Sequence, residues 1–158
     1  MIIDTLNQFT ANASVAAAAS TALVGDVIDL GVTPQDLGNG KPMYLVIMGG
    51  DTAIITGGAA GTIQFELASD AQAAIATDGS ASTHILTPTF VTDDAALNDI
   101  NIGTNVFVGA LPTGAGIAYE RYLGVLVIVA GQTVTAGAIK AFLTYDPKAW
   151  QAYADGVS

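Results

Sequence analysis

The stretch TIQFEL at residues 62–67 decides the fold class, because polar and apolar residues alternate strictly along it. Successive side chains of an extended strand point to opposite faces of a sheet, so the pattern predicts a strand with one buried and one wet face. Similar short runs of β-branched and aromatic residues recur along the chain, each bounded by Gly, Pro, Asn or Asp. The predicted strands are residues 27–30, 43–48, 62–67, 84–90, 105–109, 119–129 and 139–145.

Two of these runs, YLVIM at residues 44–48 and VLVIV at residues 125–129, are apolar on both faces. They fit central strands of a sandwich, or a sandwich strand whose outer face meets another subunit. Glycine-rich turn signals separate the runs, and the chain contains 18 glycines. Many short strands with such punctuation predict an all-β sandwich or barrel.

Three segments of the chain lack the sequence pattern of a β-strand. Residues 14–23 are rich in alanine, which suits either a helical turn or a thin extended segment. Residues 70–76 predict another short helix. The tail after Pro147 has the composition for one or two helical turns, which would bring Trp150 and Tyr153 close together.

The composition argues against an enzyme. The chain has no cysteine, one histidine, four basic and 14 acidic residues, while 51% of its residues are hydrophobic. Enzymes need a convergent cluster of titratable groups, and here such groups are few and scattered. The absence of cysteine excludes disulfides and Cys-containing zinc sites, and a single histidine excludes His-rich metal sites. We therefore expect a structural or binding protein without a catalytic residue, metal or cofactor.

The net charge of -10 also restricts the partners. Nucleic acids and anionic membrane surfaces attract clusters of Lys and Arg, so neither is expected to bind this chain. No secretory signal and no apolar run of membrane-spanning length is visible, which predicts a protein made in the cytoplasm. The mean hydropathy is nevertheless positive. Surplus apolar surface of this kind predicts a homo-oligomer or a larger partner.

A few polar residues stand out as candidate sites. Asp93, Asp94 and Asp99 form the densest acidic patch, which suits a solvated loop better than a calcium site because the EF-hand spacing is absent. His84 lacks a positioned nucleophile and an orienting acid, so a structural role is favoured. Arg121 heads the longest apolar strand; a salt bridge within the fold is favoured over a contact with a partner.

Several segments carry a family resemblance through their order along the chain. They are residues 1–6 with Phe9, and residues 27–31, 36–46, 119–123 and 135–143. Their order resembles that of the jelly-roll capsid cement proteins of tailed bacteriophages, of the type found on the Bordetella phage capsid. The chain differs from that pattern at Gly124, where a second basic residue is expected, and in residues 147–158, which extend past the usual end.

The resemblance implies a jelly-roll protein that assembles as a small homo-oligomer on the outer capsid surface and clamps neighbouring major capsid proteins. We accordingly predict a jelly-roll-like antiparallel β-sandwich over residues 1–146, with an N-terminal arm and a C-terminal tail at residues 147–158. The expected partners are the major capsid protein and further copies of the chain, as a homodimer or a homotrimer with the dimer favoured, on the surface of the virion. The residues predicted to contact a partner are Ile2, Ile3, Phe9, Arg121, Trp150 and Tyr153.

Two alternative functions of other classes remain. A small jelly-roll enzyme of the cupin type would need several histidines for its metal site, and this chain has one. A carbohydrate-binding or adhesin-like β-sandwich would present exposed aromatic side chains as a platform for sugars. Trp150 is the single tryptophan of the chain and lies in the tail, which weakens this interpretation.

Overall fold

The computed structural model describes residues 4–32, 37, 40–57, 61–92, 100–113 and 116–147. This part of the chain consists of β-strands and one short 3-10 turn, Thr5–Asn7. The strands are β1 (Gln8–Ser14), β2 (Thr21–Asp29), β3 (Tyr44–Gly49), β4 (Ile55–Thr56), β5 (Thr62–Asp70), β6 (Ser82–Leu86), β7 (Phe90–Val91), β8 (Asn105–Ala110), β9 (Tyr122–Ala130), β10 (Val134–Ala136) and β11 (Ala138–Thr144).

The strands form two main sheets, which we call the first and the second sheet. The first sheet has the order β1-β11-β3-β8, and the second has the order β2-β9-β5-β6, with β7 also paired to β5. All pairs are antiparallel, and β4 and β10 form a separate small ribbon. Numbered consecutively, the eight described strands of five or more residues have the orders 1-8-3-6 and 2-7-4-5. This arrangement is the double Greek key of a jelly roll, which confirms the predicted fold.

The core lies between the two sheets and follows from the alternation along each strand. In β5, Ile63, Phe65 and Leu67 are fully buried, whereas the residues between them are partly exposed, as TIQFEL predicts. They pack in one cluster with residues of the first sheet, among them Leu45 and Ile47 of β3. Contacts between β1 and β2 close one side of the sandwich. The side chains of both sheets therefore fill a single inner core.

The two strands that are apolar on both faces are central, as predicted. β3 lies between β11 and β8, and β9 lies between β2 and β5. On the outer face of the second sheet, Leu126 of β9 packs with Ala68 and with Ile75, which is 4% exposed and belongs to the segment 71–81. A loop of the same chain thus covers the outer face of β9 at this point.

The same outer cluster explains Gly124. A Cβ atom at this position would lie 2.5 Å from the Cδ1 atom of Ile75 and 2.9 Å from the Cδ1 atom of Leu23. Real Cβ atoms do not approach other carbons so closely, so a longer side chain would displace both neighbours. The absence of a basic residue here follows from the loop that packs over β9.

Several sequence predictions change in the structure. The alanine-rich segment of residues 14–23 is extended at its two ends. Ser14 is the last residue of β1, and Thr21 is the first residue of β2. The short helix predicted at residues 70–76 is wrong: the Asp70 carboxylate accepts hydrogen bonds from the Gln72 and Ala76 amides and holds a bend. The strand predicted at residues 84–90 is divided into β6 and β7 around Pro88, which has no amide hydrogen for the ladder.

Membrane insertion through a helix finds no support in the described residues. None of these residues belongs to a helix of the length and apolar content that a membrane span needs.

Candidate interaction surface

Arg121 is paired within the chain. Its Nε and Nη2 atoms donate to the two carboxylate oxygens of Asp29, at 3.0 and 2.8 Å. The Leu30 amide donates to the Arg121 carbonyl at 2.7 Å, so the same site also joins the two chain segments through the backbone. The guanidinium lies 4.8 Å from the ring centroid of Tyr122. Arg121 and the Gly31 amide hold the pKa of Asp29 below its ordinary value.

The other described cations are also engaged with this chain. Lys140 lies 2.7 Å from a carboxylate oxygen of Asp51, and the Lys41 ammonium lies 5.0 Å from the ring centroid of Tyr145. The fourth cation of the chain, Lys148, lies outside the described residues. The described surface therefore presents no cluster of free basic groups to a partner, while carboxylates are abundant.

One side of the sandwich is formed by two described segments that carry almost no charge. On the side opposite the contacts between β1 and β2, the first sheet ends in β8 and the second sheet ends in β6 and β7. The sequences of residues 82–92 and 100–110 contain no Asp, Glu, Lys or Arg. We call these two segments the uncharged edge. Four of its large apolar side chains are 42 to 64% exposed: Leu86, Val91, Ile102 and Val108.

The uncharged edge departs from the usual behaviour of sheet edges. Exposed edge strands have unpaired backbone groups, and proteins normally protect them with charged residues, prolines or covering loops. Pro88 interrupts the edge between β6 and β7, but β8 carries neither a proline nor a charge over its six residues. Such an edge suits a surface that is covered in an assembly.

A serine and a histidine meet inside the second sheet. The Ser69 hydroxyl of β5 lies 2.7 Å from Nε2 of His84 in β6, and it accepts a hydrogen bond from the Glu120 amide at 3.0 Å. With that amide as donor, the hydroxyl hydrogen is available to Nε2 of a neutral imidazole. The pair resembles part of a nucleophilic dyad, but Ser69 is 0% exposed, so a substrate does not reach the hydroxyl. The geometry supports a structural link between β5, β6 and the start of β9.

Tyr119 and Glu120 complete this polar cluster. The His84 and Tyr119 rings stack with their centroids 4.0 Å apart, and the Tyr119 hydroxyl donates to the Pro112 carbonyl at 2.7 Å. The Ser82 hydroxyl donates to a carboxylate oxygen of Glu120 at 2.7 Å. Burial lowers the pKa of His84, against a smaller opposing effect of the Glu120 charge, and raises the pKa of Tyr119 to about 12. Burial thus favours the neutral forms of both rings.

The sequence did not reveal the contact between Ser69 and His84. The two residues are 15 positions apart and on different strands, and neither is part of a recognisable motif. Only a correct pairing of β5 with β6, including its register shift between Leu67 and Ala68, brings them together. A polar serine at the end of an apolar strand was the one available signal.

A pocket of about 320 Å³ lies on the outer face of the second sheet, beside the loop that covers β9. Leu126 and Ile128 of β9 form an apolar part of its lining, and Glu66, Thr21 and Asp78 contribute polar groups. In the described residues no group of three or more His, Cys, Asp or Glu side chains is placed to hold a metal ion. The candidate acidic patch of Asp93, Asp94 and Asp99 lies outside the described residues.

The residues predicted to contact a partner fall into three groups. Phe9 is 0% exposed and belongs to the inner core, so its side chain serves the chain's own fold and is not available to a partner. Arg121 is exposed but bound to Asp29. Ile2, Ile3, Trp150 and Tyr153 lie outside the described residues. The exposed apolar residues of the uncharged edge were not predicted, because an isolated Val or Leu in a strand does not show which face it occupies.

Comparison with known proteins identifies one family. The model of the family called Bbp16 matches residues 10–143, from within β1 to within β11. No curated protein matches the chain. The matched region contains both sheets and the whole uncharged edge.

Proposed function

The chain belongs to the Bbp16 family, whose name points to a Bordetella phage protein, and from this membership we propose that it is a capsid cement protein. It binds the outer surface of a tailed-phage capsid and stabilises the contacts between major capsid proteins. Family membership is the observation that carries the proposal. The jelly-roll fold and the surface of the described residues support it.

The fold suits a protein that resists mechanical load. Two antiparallel sheets enclose one inner core, and a second apolar cluster fixes the loop 71–81 on the outer face. A cement protein acts through many copies, so each contact needs only modest strength, provided that the body between the contacts is rigid. The extensive backbone pairing of the sandwich supplies that rigidity.

The charge of the chain indicates how it would contact the shell. The described cations are engaged with this chain's own side chains, and the net charge is -10. Carboxylates are therefore the groups that remain for electrostatic contacts, and we expect them to meet basic residues of the major capsid protein. Contacts between exposed charges are screened by salt, so binding should weaken as the ionic strength rises.

The uncharged edge is the surface that a second copy would cover. Two chains of charge -10 repel each other, and self-association is least costly where the contacting segments themselves contain no carboxylate. Val108 and Leu86 lie on outer faces at this edge and supply apolar area for the contact. The expected assembly is a homodimer.

Binding to capsids tests the main proposal. Purified protein is mixed with capsids that lack it, and the bound copies are counted after sedimentation, at several salt concentrations and with bovine albumin as control. Saturable binding that raises the temperature of capsid disruption is the expected result. A protein that leaves the capsids bare at low salt, but binds to an array of sugars, would instead indicate the carbohydrate-binding alternative.

The surface aromatics argue against that alternative. Among the described large apolar residues, Tyr145 is the aromatic that is strongly exposed, at 50%, and Lys41 lies over its ring. A sugar platform needs a free aromatic face, which this arrangement does not offer.

Variants of the uncharged edge test the self-association. Val108→Asp and Leu86→Asp each add a carboxylate to the uncharged edge, and we expect either variant to be monomeric by light scattering. Ile117→Asp is the matched control, since Ile117 is 52% exposed and lies outside the two edge segments. If both edge variants keep the mass of the parent assembly, the edge is not the interface.

A further inference from the structure

The pocket on the outer face of the second sheet has a floor made by two cross-strand pairs. Glu66 of β5 pairs with Leu126 of β9, and Thr21 of β2 pairs with Ile128 of β9. Leu126 and Ile128 are two positions apart in one strand, so these four side chains share one face of the sheet. This face is the outer one, because Phe65, next to Glu66, belongs to the inner core. The floor therefore combines apolar side chains with a carboxylate.

The wall of the pocket is part of the loop 71–81, which the chain's own contacts hold in place. The Asp70 carboxylate accepts a hydrogen bond from the Ala76 amide at 3.0 Å, and Ile75 packs on the outer face of β9. Residues 76–79 follow directly and line the pocket. Because the loop is fixed at this point, the pocket exists without a ligand, as is usual for binding pockets.

The wall supplies a second carboxylate, that of Asp78. Its Oδ1 atom accepts hydrogen bonds from the Ser80 hydroxyl at 2.6 Å and from the Ser80 amide at 3.0 Å. These bonds hold the pKa of Asp78 below its ordinary value, so the group is ionised at neutral pH. Both bonds end on Oδ1, so within the described residues Oδ2 keeps its capacity to accept. In the same way, the Thr83 hydroxyl donates to Oε1 of Glu66, and Oε2 remains for another donor.

The charge of the pocket is not balanced by a cation of this chain. The described residues that line it include Glu66 and Asp78, but no Lys, Arg or His. The described cations are held elsewhere, by Asp29, Asp51 and the ring of Tyr145. Carboxylates beside apolar side chains suit a ligand with a charged head and an apolar stem. Lysine and arginine side chains have this character.

The size of the pocket also favours a single side chain as its occupant. Its volume is about 320 Å³. Ligand pockets usually measure about 300 to 1,000 Å³, so this one is at the small end of the range. Among the described lining residues none is aromatic, so a sugar ring would find no face on which to stack.

We propose that this pocket binds an arginine or lysine side chain of the major capsid protein. The methylene groups of that side chain lie on Leu126 and Ile128, and its charged head faces Glu66 and Asp78. The identity of the partner rests on the proposed cement function, whereas the preference for a basic side chain rests on the pocket alone. The electrostatic contact with the shell is thereby located at one site on the second sheet.

NMR titration of the free protein tests the preference for a basic side chain without the capsid. The probe is Nα-acetylarginine methylamide, added to high millimolar concentration. The matched control is the citrulline analogue, which has nearly the same shape and no charge. We expect the arginine probe to shift the amide signals of residues 76–81 and of Leu126 in a saturable way, with shifts several-fold smaller for the control. Equal shifts from both probes, or no shift in this region, would overturn the proposal.

Capsid binding by charge-matched variants tests the partner. Glu66→Gln keeps an oxygen that accepts from Thr83, and Asp78→Ser keeps a hydroxyl that suits the turn, so each removes a charge with little change in the fold. Asp26→Asn is the control, since Asp26 is exposed, lies outside the lining and contributes the same charge. We expect each pocket variant to weaken capsid binding about tenfold and the control less than about twofold.

A variant that occupies the pocket gives an independent check. Thr77 is an exposed residue of the lining, and Thr77→Lys adds a cation of the chain's own beside Asp78. We expect this variant to bind capsids more weakly than Asp26→Asn, which has the same net charge, and to lose the response to the arginine probe. Capsid binding as tight as that of Asp26→Asn would contradict the proposed site.

The outcomes separate this inference from the proposed function. If the parent chain binds capsids and the pocket variants bind as the control does, the pocket is not the contact, while the cement function stands. A parent chain that leaves capsids bare refutes the cement function and the named partner, and the titration still decides the chemistry of the pocket. Pocket variants with a smaller mass in light scattering would show that a second copy occupies the pocket, and would overturn the assignment to the capsid.

Discussion

Asp29 and Arg121 are 92 positions apart in the chain and pair through two hydrogen bonds, at 3.0 and 2.8 Å. Asp29 ends β2, and Arg121 immediately precedes β9. The pair therefore fixes the end of the β2–β9 ladder, on the side where the Leu30 amide also reaches the Arg121 carbonyl. The planar guanidinium matches both carboxylate oxygens, which a lysine at this position would not do.

Removal of this ion pair should lower the thermal stability of the protein only slightly, by an amount that depends on salt and pH. Both side chains are more than 40% exposed, so Arg121→Ala and Asp29→Asn should each lower the Tm by at most about 3 °C. The folded protein lowers the pKa of Asp29, so the contribution of the pair is complete above the ordinary value of 3.8 and is lost as the pH falls through the folded pKa. Calorimetry at pH 7 and pH 3, with the double variant as control, checks this. A double variant that loses the sum of both single effects would contradict the pairing.

His84 should make the stability of the protein pH-dependent. Burial lowers its pKa below 6.5, so the unfolded chain binds a proton at a higher pH than the folded chain does. Stability is then highest above about pH 6.5 and decreases as the pH falls below it. His84→Gln should remove this decrease, and at pH 8 it should lower the stability by about 1 kcal/mol, because the bond to the buried Ser69 hydroxyl and the stack on Tyr119 are disturbed. Since His84 is the sole histidine, its NMR titration is unambiguous, and a midpoint above 6.5 would refute the assignment.

Phe9 should behave as a core residue. It is fully buried in the inner cluster, so Phe9→Ala should lower the free energy of unfolding by about 3 to 5 kcal/mol. Leu6→Ala is the control, since Leu6 is 78% exposed and its truncation should change this free energy by less than about 0.5 kcal/mol. Urea denaturation measures both. Similar small effects at the two positions would show that Phe9 does not support the core.

Position 124 lies beneath Ile75 and should have no room for a long side chain. Gly124→Arg should destabilise the protein by about 1 to 3 kcal/mol and increase hydrogen exchange in residues 71–81, because the new side chain displaces Ile75 and Leu23. In an Ile75→Ala background the same substitution should cost less, since the displaced side chain is already truncated. Independent effects of the two substitutions in denaturation experiments would show that Gly124 and Ile75 do not compete for space.

Local pattern was enough to predict most of the secondary structure. The alternation at residues 62–67 and the apolar runs at residues 44–48 and 125–129 identify β5, β3 and β9, because burial on one or both faces leaves a direct trace in the sequence. The pattern missed β1, β4 and β10 and shortened β2. β1 and the first part of β2 contain small and polar residues such as Thr10, Asn12 and Thr21. Their pairing partners hold them extended, and a single-strand pattern does not contain that information.

The sequence by itself determined an all-β protein with an acidic surface, and the order of its segments indicated a jelly roll. These properties depend on alternation, turn residues and charge, which are local or additive. Only the tertiary structure decided that Phe9 is internal, that Arg121 is bound to Asp29, and that Ser69 meets His84. It also decided which outer faces are covered, and it placed two described segments without Asp, Glu, Lys or Arg on one side of the sandwich. Each of these depends on strand order and register, which bring together residues that are distant in the chain and that no local pattern connects.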